Sequence, residues 1–382
     1  MALEIFNGLF SHILEHLIKF KGELCQIFQK TLEHDSLEIK LAALKATINY
    51  LGCADRKDTK EFYGLIPLLA GVVTKALEED DESVIEDALV EFNDLVELEP
   101  SFFKSTFSDL YTTFKPIISK SDFCNATLRH LPLEFAVSMI ERKPSLAKKN
   151  EELLKDILDQ TFQLMIDIDD EIDESWMKPK EGFAGEEEDE DNVSFGKTVI
   201  DRLIATIGDE IMLPLIGELV QTTIANDQDW RYKHAGIMAF SQVGEYVDDA
   251  KKIAVMIPNI LEACGHTNPM IRYAALHCLG QFSNDMPEEF QNAYGADVIP
   301  VATACLDDQV PRVQAHACAC FTNFIEHATE EMMTPQIEAL SQKYCNLLQT
   351  GVSMVKENAA TAMATLVEKV GEAFIPYFTE SL

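Results

Sequence analysis

Cys264, His266, His277 and Cys278 stand close together in the chain, and thiolate with imidazole is the donor set of zinc. A structural zinc site takes such ligands as tightly spaced pairs. No pair of that kind occurs. None of the nine cysteines forms a C-x-x-C, and Cys318 and Cys320 are two apart, which on a helix points them to different faces. The thiols read as small apolar core residues of a reducing compartment, and neither a metal nor another cofactor is expected. The sequence also lacks a glycine-rich phosphate loop, HExxH, GxSxG or a clustered triad, which argues against an enzyme.

The chemistry that remains belongs to carboxylates. Residues 185–191 read GEEEDED, so Glu186, Glu187, Glu188, Asp189, Glu190 and Asp191 follow one another without a break. The tract 167–191 holds 13 acids and two lysines, a net −11, about a third of the −34 of the whole chain. Mutually repelling carboxylates offer nothing to a core. The run is either a solvated spacer or an electrostatic hand for a basic partner. The rest of the chain leans the same way, with 65 acidic residues against 31 basic ones. Such a body repels nucleic acid and anionic membranes and attracts basic peptides and proteins. Direct nucleic-acid binding and membrane attachment are therefore not expected. The N-terminal stretch MALEIFNGLFSHILEHLIKF is amphipathic, interrupted by Glu4, His12, Glu15 and His16. It reads as neither a signal peptide nor a span, and no window approaches a span elsewhere. The cytosol or the nucleus is the expected compartment.

The elements that must carry these charges are helices. With 382 residues, 47% of them hydrophobic, wholesale disorder is excluded, and only 17 glycines and 14 prolines disfavour a turn-rich β chain. The second half repeats itself. DWRYKHAGIMAFSQVGE, NPMIRYAALHCLGQFSND, QVPRVQAHACACFTNFIE and GVSMVKENAATAMATLVE share one frame, each with a polar or helix-breaking start and then small residues. Anchors at Lys233, Arg272, Gln314 and Lys356 give intervals of 39, 42 and 42 residues. Two earlier copies, anchored at Lys40 and Glu86, are 46 residues apart. A longer amphipathic helix, such as AKKIAVMIPNILEACGH, precedes each of them. A helix pair of this size cannot bury its own apolar face and stacks on its neighbours, giving a solenoid. The expectation is an all-α, right-handed α-solenoid of HEAT repeats with about eight helix pairs. Residues 128–144 read as a further second helix and 150–166 as a first helix whose partner begins only at Val193. The expected organisation is HEAT repeats over 1–166, an acidic insertion within one repeat over 167–192, and HEAT repeats over 193–382. Loops of that length inside a compact array are usually functional or disordered.

DWRYKHAGIMAFSQVGE, IRYAALHCLGQFSND and RVQAHACACFTNF resemble the central repeats of karyopherin-β nuclear transport receptors, of the importin-five (Ran-binding protein five) type. The likeness is strongest over about 193–330. It implies binding of nuclear-localisation signals on a concave face lined by second helices, release by Ran-GTP, and weak contacts with FG-repeat nucleoporins during shuttling between cytoplasm and nucleus. Members are longer than this chain, which is similar to a central segment. The likeness further implies that the acidic loop Glu186–Asp191 touches a basic patch on Ran. A flexible anionic tether raises encounter rates with such a surface.

The repeat frame adds an inference of its own. Twelve residues past the anchors stand Glu245, Asn284, Glu326 and Glu368, and nine past them Gln242, Gln281, Asn323 and Thr365. Positions three apart share a helix face, so stacking turns them into a polar and acidic ladder, to which Asp285 adds a carboxylate. Amides can pair with the backbone of an extended peptide and carboxylates with its lysines. Trp230 could stack on a lysine stem, although packing within the solenoid is the simpler role. Together these residues predict an import-receptor segment, a monomer, that binds basic cargo signals through Gln242, Glu245, Gln281, Asn284, Asp285, Asn323, Glu326 and Glu368. The rival is a HEAT scaffold for another complex, which would need neither the insertion nor the ladder.

Overall fold

The polar residues that open the repeats are helix caps. Ser36, Asp81, Asn125, Asp229 and Asn268 each accept a hydrogen bond from a backbone N–H of the turn that follows. Those donors have no partner inside an α-helix, and the caps supply one. The computed structural model describes residues 2–122, 124–169, 171–179, 192–226, 228–247 and 249–377. The run Glu186–Asp191 lies outside the described residues.

The chain divides into two units, one formed by residues up to Leu164 with Ala205–Gly208, the other by Met165–Ile204 with Asp209 onward. In the first unit lie α1 (Ala2–Leu17), α2 (Lys21–Leu32), α3 (Leu37–Cys53), α4 (Arg56–Thr59) and α5 (Ile66–Glu78). There follow α6 (Glu82–Leu98), α7 (Phe107–Phe114), α8 (Ala126–Arg142) and most of α9 (Glu151–Ile166). The second unit holds α10 (Glu174–Met177), most of α11 (Asn192–Ile207), α12 (Asp209–Ile224), α13 (Trp230–Phe240), α14 (Ile257–Ala263) and α15 (Pro269–Asp285). It ends with α16 (Glu289–Cys305), α17 (Pro311–His327), α18 (Glu330–Met333), α19 (Ile337–Thr350) and α20 (Ser353–Val370). Among the described residues there is no strand, and the class is the all-α α-solenoid of HEAT repeats. In the first unit the pairs are α2/α3, α5/α6 and α7/α8, and in the second α12/α13, α14/α15, α16/α17 and α19/α20.

Helices α3, α6, α8, α13, α15, α17 and α20 each pack on the first helix of their own pair and on a second helix of a neighbouring repeat. In the first unit α3 lies against α6 and α6 against α8; in the second the row runs α13, α15, α17, α20. The small residues of the repeat frame are what let these helices approach. Ala235, Ala274, Ala275, Ala317 and Ala359 are fully buried. At Gly236 a Cβ would stand 2.5 Å from Thr223 Oγ1 of α12, so only glycine fits without a shift. The first unit fills its core with aromatic rings instead. Phe92 stacks edge-on against Phe114 at 4.9 Å and Phe135 at 6.2 Å, geometries that add to their area burial.

One expectation needs correction. The stretch 250–266 is not a longer helix than its partner: Ala250–Ile253 is a 3-10 turn and α14 begins only at Ile257, with Pro258 in its first turn. Proline has no N–H to offer an upstream carbonyl and so belongs at a helix start. Cys318 and Cys320 are both buried, in keeping with their reading as small core residues. Helix α17 is covered on several sides, by α15, α16 and α20. Burial pushes both thiols up to about 12, so they stay protonated and inert.

Candidate functional site

The C-terminal ends of α15, α17 and α20 hold the predicted rungs: Gln281, Asn284 and Asp285, then Asn323 and Glu326, then Thr365 and Glu368. In the repeat before them the prediction fails in detail. Helix α13 stops at Phe240, Gln242 sits in the following turn, and Glu245 lies in a 3-10 turn, Gly244–Tyr246. The reason is a close approach from the next repeat. A Cβ at Gly244 would fall 2.8 Å from Phe282 Cδ1 and 2.9 Å from Asp285 Oδ2, so the α15 side chains occupy the space beside this turn. The turn is fixed on its other side by Tyr246, whose hydroxyl donates to Asp201 Oδ1 at 2.7 Å.

That approach brings Glu245 and Asp285 together across two repeats. Glu245 is exposed and Asp285 half-buried. Burial raises the Asp285 carboxyl above its ordinary range and the Glu245 charge raises it further, although Asn284, which donates to Asp285 Oδ1 at 3.4 Å, works the other way. A paired acid of this sort gains from an arriving cation, which relieves both the desolvation and the repulsion.

The other rungs differ from one another. Asn323 is half-buried, and its Nδ2 donates to the Gly280 carbonyl at 3.3 Å, so it ties α17 to α15 and is not a free surface amide. Glu326 and Glu368 are exposed. Lys369 of α20 reaches back to donate from Nζ to the Glu326 carbonyl oxygen at 3.0 Å. An ammonium thus already sits at the C-terminal end of α17, where the last carbonyls carry partial negative charge. Gln242 donates from Nε2 to Ser241 Oγ at 2.9 Å. Trp230 sits edge-on to His234 at 6.0 Å, a contact within its own helix.

The opposite, N-terminal ends of the same helices carry a cluster the repeat frame did not single out. Trp176, in α10 of the insertion, lies edge-on to Tyr273 of α15 with ring centroids 5.7 Å apart. The Arg312 guanidinium of α17 stands over its ring at 5.7 Å. Tyr273 packs on His316 at 4.1 Å, and His316 stacks on His277 at 5.5 Å. A lone tryptophan in an acidic tract was the available signal. His234 and His277 lie deeper. Burial, then Lys197, pulls His234 down to about 4, and burial lowers His277 well below its ordinary value. His234 Nδ1 and His277 Nε2 have no hydrogen-bond partner among the described residues. In this region Arg272 clasps Asp308 with two bonds, Nε to Oδ2 at 2.6 Å and Nη2 to Oδ1 at 2.8 Å, joining adjacent repeats.

These features define a HEAT-repeat solenoid whose second helices end in an acidic and amide-bearing row. The family described as "IPO5-like, TPR repeats" matches residues 1–113, "Importin repeat" matches 121–214, and "Stalled ribosome sensor GCN1-like, HEAT repeats" matches 201–343. Importin subunit beta-3 of Saccharomyces cerevisiae is 25% identical over 364 residues, covering 94% of this chain and 33% of that protein. Two solved structures of the karyopherin Kap121p, one bound to the extreme C-terminus of the phosphatase Cdc14p and one bound to Nup53p, each cover 98% of the chain. Identity is 23% in both, with TM-scores of 0.87 and 0.86; the chain covers 37% and 36% of theirs. The two importin models, over 1–113 and 121–214, together with the beta-3 relative support a karyopherin-β family HEAT-repeat segment. That family is one of transport receptors and not of enzymes. The chain spans about a third of the length of the relatives named here.

Proposed function

We propose that the chain is the cargo-reading segment of an importin-five-type nuclear import receptor, which takes a basic, extended signal along the C-terminal ends of its second helices. The observation that carries this reading is the juxtaposition of Glu245 with Asp285 from adjacent repeats. Two carboxylates, one of them half-buried and held above its ordinary pKa, form a seat for a lysine ammonium that no helix needs for its own stability. Asn284 and Gln281 flank the seat and can pair with the peptide backbone. Glu326 and Glu368 extend the row. Lys369 supports the same chemistry from within the chain, since it places a lysine against the end of α17. The Cdc14p and Nup53p complexes of Kap121p support cargo and nucleoporins as the partner classes.

In this reading the acidic run Glu186–Asp191 contacts Ran-GTP, supported by its charge, and FG-repeat nucleoporins carry the receptor between cytoplasm and nucleus. The receptor acts as a monomer, without cofactor. A pull-down with Ran-GTP and a labelled lysine-containing signal peptide tests both halves. The peptide should bind the wild-type chain and bind Glu245→Ala about tenfold more weakly, the loss of one charge-assisted hydrogen bond. Undiminished binding by Glu245→Ala and Glu326→Ala would place the cargo elsewhere. Neutralising residues 186–191 should weaken Ran-GTP contact at low salt and leave folding intact.

A further inference from the structure

Residues 167–169 and 171–179 of the insertion run along the N-terminal ends of successive second helices. Asn192 Nδ2 donates to the Asp167 carbonyl at 2.9 Å, Arg231 Nη1 at the start of α13 donates to the Ile168 carbonyl at 3.3 Å, and Trp176 then lies between α15 and α17. Two groups meet the indole, the Tyr273 ring edge-on and the Arg312 guanidinium over its face, and the His316 ring backs Tyr273 from behind. This is a recognition surface for an aromatic ring, combining edge-to-face and cation–π contacts. Its electrostatic sense is positive. Arg312 occupies the first turn of α17, where the backbone N–H groups add partial positive charge, whereas Arg231 is matched by Asp229. The resident tract matches that sense, for Glu171, Asp173 and Glu174 precede the tryptophan and are exposed.

The hold is shallow. Helix α10 is a single turn with no buried side chain, kept in shape by Asp173, which accepts from the Ser175 N–H at 2.6 Å. Trp176 itself is only half-buried. A segment held by so few buried contacts opens at low free energy. We infer that Tyr273, Arg312 and His316 form a socket for an aromatic side chain carried on an acidic peptide, with Trp176 as its resident, exchangeable occupant. The partner is a protein segment with the chemistry of the insertion itself: one tryptophan, or another aromatic residue, among carboxylates. The resident tract has the advantage of a short tether, which acts as a high local concentration. A partner therefore reaches the socket only when it binds in several places or when the insertion is drawn away. This surface is separate from the acidic row at the other end of the helices and selects the opposite charge.

The test uses the full chain and a labelled, end-capped peptide with the sequence of residues 171–179. Trp176→Ala should bind the peptide, and the wild type should bind it at least tenfold more weakly because its socket is filled. In the Trp176→Ala chain, Tyr273→Ala or Arg312→Gln should cost at least tenfold, as should alanine for the tryptophan of the peptide. A peptide with lysines in place of its three acids should bind at least fivefold more weakly. Equal binding by wild type and Trp176→Ala, or none by either at millimolar peptide, overturns the socket. Equal binding of acidic and lysine peptides overturns its charge selection. An independent readout exists because the chain has two tryptophans. In a Trp230→Phe chain, emission reports Trp176 alone, and Tyr273→Ala should shift it to the red and raise its quenching by acrylamide. Unchanged emission would overturn the contact itself.

Discussion

At their N-terminal ends α13, α15 and α17 present Arg231, Tyr273 and Arg312, whereas the C-terminal ends of these repeats present Glu245, Asn284, Asp285 and Glu326. Both sets run against the helix macrodipole, which favours acids at the start of a helix and bases at its end by roughly 0.3–1 kcal/mol each. Residues chosen for the stability of their own helix would have the opposite signs. The two ends differ in how that cost is met. Basic residues at the N-terminal ends find partners in the chain: Arg231 pairs with Asp229 at 2.7 Å, Arg272 with Asp308, and Arg312 with the face of Trp176. At the C-terminal ends Lys369 stands near Glu326, and its bond is to the backbone carbonyl, not to the carboxylate. Charge that works against its own helix and finds no counter-charge among the described residues is placed for a ligand, and the acidic row fits that description better than the basic one.

The strongest way to break the comparison is to reverse one end and leave the other alone. Glu245→Lys with Asp285→Lys should reduce the affinity of a lysine-containing signal peptide by a hundredfold or more, about 2.7 kcal/mol. The same double variant, combined with Trp176→Ala, should bind the acidic tryptophan peptide as well as Trp176→Ala alone. A parallel loss for both peptides, measured by titration, would show one continuous site in place of two. Within the acidic end, Glu245→Ala should cost more than Glu326→Ala, since Lys369 already stands beside Glu326. Binding there should also strengthen as pH rises through the raised Asp285 pKa, because a lysine prefers the ionised carboxylate.

The next effect belongs to the basic end and is read in stability. His234 is buried and held at about 4, with Lys197 adding to the cost of a second positive charge. An unfolded histidine titrates near 6.5, so between these values the unfolded chain holds a proton that the folded chain lacks. Stability is therefore full above about pH 6.5 and falls as pH drops through that value toward 4. For one such group the slope reaches about 1.4 kcal/mol per pH unit. His277, lowered by burial and by His316, Lys197 and His234, adds to it in the same direction. Denaturant titrations between pH 6.5 and 5 should show this slope, and His234→Gln should reduce it. An unaltered slope would mean that His234 is not held neutral.

Much of the fold was legible because its determinants are local. Caps such as Asp229 and Asn268, and small residues such as Ala274 and Ala275, announce a helix pair from within one repeat. The acidic row was legible for the same reason, as a periodic pattern of charge. What the pattern could not supply are contacts made across repeats. Glu245 leaves its helix because Phe282 and Asp285 crowd Gly244, and Asn323 turns inward because the Gly280 carbonyl is within reach. Trp176 meets residues of two different repeats, so no single stretch of sequence pairs it with Tyr273 and Arg312. The run Glu186–Asp191 remains a matter of charge alone.

The smallest expected effect separates support from recognition within the acidic end. Asn323 stands in the row by position, yet its amide donates to the Gly280 carbonyl of α15 while Gly280 lies against Cys320 of α17, 3.4 Å from its Cα where a Cβ would stand. The amide therefore bridges two backbones at a close helix crossing. Asn323→Ala should cost stability, about 0.5–1.5 kcal/mol for a neutral hydrogen bond, as read from the urea midpoint. Glu245 makes no such bond among the described residues, so Glu245→Ala should leave the midpoint nearly unchanged while weakening the basic peptide. If Asn323→Ala loses peptide affinity without losing stability, the amide faces the ligand and the contact with Gly280 is incidental. If both fall together, Asn323 positions the groove by holding α15 and α17 at their spacing, and the acids on either side of it do the reading.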